Sequence, residues 1–177
     1  MEHNTRGTAR EMPTLAEHVT LAPMHVVRRD WVTMTGRWRE WFQVDLSDDL
    51  EAMTQFSLAV VAVLLGDDSP GRLRRAVHAA VRDRFPGHAR EFVSALITYE
   101  AAWQDRSPVK PRYMVPPLQH SIEALAIVFL DSVNCRATMG IGGGEFYNLF
   151  HVGVVGGCMG SCAAEAKRLL DSVRDRG

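Results

Sequence analysis

Apolar residues return every three or four positions in stretch after stretch of this chain, with prolines, glycines or acid-rich turns between the stretches. That rhythm is what an amphipathic helix needs to bury one face. Met24, Val27, Trp31, Met34, Trp38 and Phe42 make the first such stripe. In a second, Leu73, Val77, Ala80, Val81 and Phe85 form the inner face and Arg72, Arg75 and Arg82 the outer one. Phe92, Ala95, Leu96, Tyr99 and Trp103 make another, and Leu118, Ile122, Leu125, Phe129 and Val133 a further one. Ser47-Asp48-Asp49 supplies a cap and first-turn acids for a helix over about 48–65, which becomes apolar all round after Gln55. A segment of that kind belongs at the centre of a fold. The run from Leu58 to Leu65 would also suit a buried strand, but it continues directly from helix-forming Leu50-Glu51-Ala52-Met53.

The joints are short. Gly66 closes the central segment, residues 67–71 read as a turn, and Ser69-Pro70 is expected to cap the following helix. Pro86 resets the chain. Residues 106–117 carry Pro108, Pro111, Pro116 and Pro117 and read as an extended loop. Pro116-Pro117 then opens a helix expected to reach about Met139. Gly140–Gly144 is a loop, and a last helix is expected over about 145–173. Residues 1–13 are polar and aperiodic and are expected to be a disordered tail. Without an internal repeat or a shift of composition, 14–177 reads as a single all-α domain, a bundle of about six to seven helices.

Composition narrows the partners. A formal net charge of −1 gives no global attraction to nucleic acid or to an anionic membrane surface, so neither is expected as a partner. The longest apolar run falls far short of the ~20 residues that span a bilayer. Eighteen arginines against two lysines point to a GC-rich, bacterial genome. Three cysteines with no leader-like segment ahead of them suit a reducing, cytoplasmic setting.

Chemistry concentrates near the C-terminus. Eight of the fourteen glycines lie between Gly140 and Gly160, together with Glu145, Tyr147, His151 and Cys158. On a helical grid Tyr147, His151, Cys158 and Cys162 share one side, and Gly153, Gly156, Gly160 and Ala164 share the opposite one. Four glycines inside a helix cost on the order of 3–4 kcal/mol relative to alanine. The expected compensation is close approach by a neighbouring helix, from this chain or from a second copy, or by a ligand. A break at Gly156-Gly157, with 146–155 partly strand, is a third option. The cysteines at i, i+4 are expected to fill core space. A haem- or metal-binding sensor built on His151, Cys158 and Cys162 is the alternative, and His78, His88, His120 and His151 are each possible axial ligands.

The segment from Pro117 carries a second constellation, His120 one turn before Glu123, the type of pair that general acid–base chemistry near neutral pH uses. Tyr113 stands in the proline-rich loop ahead of it, and loops of that length are disproportionately functional. Trp31 and Trp38 are read first as core and second as walls of a ligand pocket. Phosphate-loop, dinucleotide and zinc-protease signatures are absent.

These readings combine into one expectation. The protein binds a small, mainly apolar organic ligand between the 117–138 helix and the last helix, using Tyr113, Tyr147, Trp31, Trp38, Gly153 and Gly156. If it turns that ligand over, it does so without a cofactor, by an isomerisation, cyclisation or dehydration with His120, Glu123 and His151 as acid–base groups. The competing expectation is a non-catalytic homodimer joined through the Gly153/Gly156/Gly160 groove.

Overall fold

The structure, a computed structural model, describes residues 14–42, 44–104, 122–133 and 149–175. They form six helices: α1 (Leu15–Phe42), α2 (Leu50–Leu65), α3 (Gly71–Arg84), α4 (Ala89–Trp103), α5 (Ile122–Ser132) and α6 (Leu149–Arg174). The protein is an all-α bundle, and none of the described residues is in a strand.

The first helix starts nine residues before the stripe that announced it. Ala16, Val19, Pro23, Val26 and Val27 are all buried, so the apolar face simply extends backwards through a proline. Pro23 contributes no N–H, and its ring is accepted within the buried face.

Helix α2 is the axis of the bundle and packs against α1, α4, α5 and α6. Phe56, Leu58, Ala59, Val60 and Val61 lie wholly out of solvent, which is why the sequence there has no polar side. Asp49 caps this helix, its carboxylate accepting the Ala52 N–H at 2.9 Å. Ser47 instead belongs to a turn organised by Asp45, to which it donates through both its hydroxyl and its N–H. Gly66 closes the helix at φ 55°, a left-handed conformation that favours glycine. At the start of α3 the cap position is Pro70, and Ser69 makes no capping bond.

An aromatic knot ties α1, α2 and α5 together. Trp38 lies 5.6 Å from Phe56 and 6.2 Å from Phe129 between ring centres, and Phe56 meets Phe129 edge-on at 5.2 Å. Trp31 joins through Phe56 at 5.8 Å, and its indole N–H donates to the Leu46 carbonyl at 2.8 Å. Aromatic pairs in these offset and edge-on arrangements add to the burial energy of the rings themselves.

Candidate functional site

Helix α6 keeps its glycines and its cysteines on opposite sides, and its buried face lies between them. Val152, Val155, Met159, Ala163 and Ala166 are buried and define one inward arc. His151 and Cys162 lie along one border of that arc and Gly156 along the other. Gly153 and Gly157 are exposed, and a Cβ on either would meet nothing within 4 Å among the described residues.

The glycines that do work for the fold are Gly156 and Gly160. A Cβ at Gly156 would lie 3.2 Å from Cγ2 of Ile122 and 3.4 Å from the Ile122 carbonyl oxygen, and one at Gly160 would lie 3.3 Å from Ile122 Cδ1. The close approach is therefore made by α5 of the same chain, through its first residue. Of the occupants expected for the glycine groove, a helix of this chain meets Gly156 and Gly160, while Gly153 stays exposed.

Below that contact the small-residue surface opens. Gly160, Ala163, Ala164, Lys167, Leu170 and Asp171 of α6, with Val63 and Leu64 of α2, line a cleft of about 400 Å³. Its walls are largely apolar and flat, because glycine and alanine project little from α6. At its edge Lys167 holds Asp171 at 2.8 Å, an exposed pair one helical turn apart. The volume falls within the range of small-molecule pockets.

Of the expected site residues, those among the described residues do not line this cleft. Trp31 and Trp38 are almost fully buried with their rings in the aromatic knot, and neither lines the α2–α6 cleft. Glu123 is half-buried in the first turn of α5. His120, Tyr113 and Tyr147 lie outside the described residues, as does Cys135. His151 is buried where α1 ends against the start of α6. It stacks on Trp41 with ring centres 4.9 Å apart and planes 7° from parallel, and Phe42 closes on its edge at 5.3 Å. Burial lowers its pKa, so the imidazole is neutral at pH 7.

The two described cysteines are poor nucleophiles. Burial raises the Cys158 thiol, against a small opposing effect of Arg37. The Cys162 thiol is pushed up to about 12 by burial first and then by the charges of Asp30 and Cys158. Cys162 Sγ rests 4.0 Å from the sulfur of Met34, a soft core contact. Among the described residues no group of three or more His, Cys, Asp or Glu side chains is placed to hold a metal ion. Nor is any helix among them long and apolar enough to cross a membrane.

The best-defined polar cluster was not foreseen. Glu100 of α4 is buried, and its two carboxylate oxygens bind Arg74 and His78 of α3, each at 2.6 Å. Arg74 also donates to the Gly66 carbonyl and clasps the end of α2. Burial pushes the Glu100 carboxyl up, but the bonds from His78 and Arg74 outweigh it and hold the pKa below its ordinary value. The ionised carboxylate can only accept, so His78 donates through Nε2. Arg74 thus leaves the solvated arginine patch that Arg72, Arg74 and Arg75 suggest. A glutamate amid Ala95, Leu96, Tyr99 and Trp103 was the available signal, since such a position needs a partner.

Comparison of the chain with protein-family models, with curated proteins and with solved structures returned no match. What can be said of function rests on this geometry.

Proposed function

We propose that this protein binds a small, mainly apolar organic molecule in the cleft between α2 and α6. The observation that carries the reading is the cleft itself, about 400 Å³ bounded by Val63, Leu64 and Leu170 over a floor of Gly160, Ala163 and Ala164. Small residues at these positions leave room that leucine or phenylalanine would fill, and they accept a flat ligand without losing side-chain entropy.

The reading is of binding rather than turnover. Among the described residues, Lys167 and Asp171 are the ionisable groups that line the cleft, and they are engaged with each other. His151 lies nine residues up the helix, about 13 Å along its axis. A saturable fluorescence rise of N-phenyl-1-naphthylamine is the expected result with the wild-type protein. Ala164→Trp, which fills the cleft from an exposed position, abolishes it, and Gly153→Trp on the outward side leaves it intact. Dye binding that ignores Ala164→Trp sinks the reading.

A second reading is favoured by one observation on the same helix. The stripe Gly153, Gly157, Ser161 is exposed at four-residue spacing, and nothing among the described residues packs on its glycines. A homodimer using this outer stripe, displaced from the Gly156/Gly160 contact, would explain glycines that otherwise only weaken α6. Light scattering on wild type and on Gly153→Leu/Gly157→Leu separates the cases: a dimer that falls to monomer supports it, and a wild-type monomer ends it.

A further inference from the structure

Helix α3 fully buries only Val77 and Val81, and its exposed side is rich in arginine. Residues 71–90 contain six arginines and a single acid, Asp83, in a chain whose net charge is −1. One of the six, Arg74, is withdrawn to Glu100. The other five, Arg72, Arg75, Arg82, Arg84 and Arg90, are exposed.

Their number on one short stretch is what sets them apart. Elsewhere Arg29 pairs with Asp30 and Glu165, Arg39 with Asp45 and Arg168 with Glu165, and only Arg28 and Arg37 on α1 are likewise exposed without an ion pair among the described residues. None of the ion pairs among the described residues uses any of the five. Arg72, Arg75 and Arg82 share the outward side of α3, with Arg84 and Arg90 at the corner where α3 turns into α4. From Arg72 to Arg82 the row runs about 15 Å, two to three helical turns. Like charges so placed repel one another and weaken the helix unless something negative covers them.

We propose that this face of α3 is a docking surface for an acidic segment of a partner protein, a helix or peptide rich in Asp and Glu. Guanidinium groups match carboxylates two bonds at a time, and a row of this length suits carboxylates spaced a turn apart on a partner helix. Two features favour carboxylates over a phosphate polymer. Asp83 stands among the arginines, where it would oppose a continuous line of phosphates. The face also offers no exposed Phe, Tyr or Trp ring for base stacking among the described residues, since Phe85 is half-buried and turned edge-on to Phe92 at 5.0 Å, and the exposed His88 ring already stacks on Phe92. The surface is distinct from the α2–α6 cleft, and neither proposal depends on the other.

Fluorescence anisotropy of a labelled poly-L-glutamate peptide against the full chain at low ionic strength tests this. Saturable binding is expected, weakened about tenfold or more by Arg75→Glu/Arg82→Glu and strongly reduced at about 0.15 M salt. Arg28→Glu/Arg37→Glu, which changes net charge equally on the exposed side of α1, is expected to stay within about twofold of wild type. All four positions are exposed, and circular dichroism confirms that both variants fold. Absence of saturable binding overturns the proposal, and so does equal loss in the two variants. Tighter binding of mixed-sequence duplex DNA or of phosphatidylglycerol vesicles than of the peptide, lost in the α3 variant, overturns it in favour of phosphate recognition.

Discussion

A methyl group added at Gly156 would press on Ile122 at 3.2 Å, whereas one added at the next residue, Gly157, would meet nothing within 4 Å. Gly157→Ala is therefore expected to stabilise the protein by ~0.5–1 kcal/mol through helix propensity alone. Gly156→Leu is expected to cost ~1–3 kcal/mol by forcing α5 away from α6. Urea denaturation of the pair reads both signs. Glycine density was legible in the sequence, but the side from which α5 arrives was not, and that alone decides which glycine is indispensable. Glu100 gives a second test at this scale. Its folded pKa lies below the ordinary carboxyl value of 4.5, so the unfolded chain takes up the proton more readily. Its contribution is complete above that value and is lost as pH falls through the folded pKa. Glu100→Gln should cost ~2 kcal/mol at pH 7, the scale of a hydrogen bond to a charged group, and flatten the acid limb of the stability–pH curve. An acid limb of unchanged slope would mean that the clasp does not contribute as argued.

Helix boundaries followed the sequence where a cap or a breaker has a single physical meaning, and departed from it where two residues compete for a role. Gly66 ended α2 as read, because a left-handed closing residue is nearly always glycine. At the start of that helix Ser47, Asp48 and Asp49 all carry capping oxygens, and only the chain's path chooses Asp49. Asp49→Ala should accordingly lower stability by ~1 kcal/mol in thermal or urea unfolding, while Ser47→Ala costs less. Helix α1 was read only from Met24, although Val19 and Val26 on either side of Pro23 continue its buried stripe. The site was harder to read than the elements. The cleft is formed by Val63 and Leu64 meeting α6, and nothing in a one-dimensional pattern says which small residues of a helix stay uncovered once its neighbours are in place.

At the scale of the whole molecule, the question is whether six helices unfold as one body. The arginine–glutamate clasp joins α2, α3 and α4, and the Trp38–Phe56–Phe129 knot joins α1, α2 and α5, so α2 belongs to both groups. Tyr99 of α4, whose hydroxyl meets Gln55 of α2 at 3.2 Å, and the packing of α6 on α2 bind the remaining interfaces to the same axis. A helix shared by every cluster cannot melt without exposing all of them, which makes a single cooperative transition the expectation. Phe129→Ala tests it, because it removes a fully buried ring from the knot without touching the clasp. The expected loss is ~3–5 kcal/mol. With Trp41 and Trp103 replaced by phenylalanine, tryptophan fluorescence reports the knot through Trp31 and Trp38, and it should shift together with helical circular dichroism, which reports the helices as a whole, by the same amount. If fluorescence moves to lower urea while much of the helical signal keeps its wild-type midpoint, then α3 and α4 hold a core of their own and α2 is a bridge between two units rather than the axis of one.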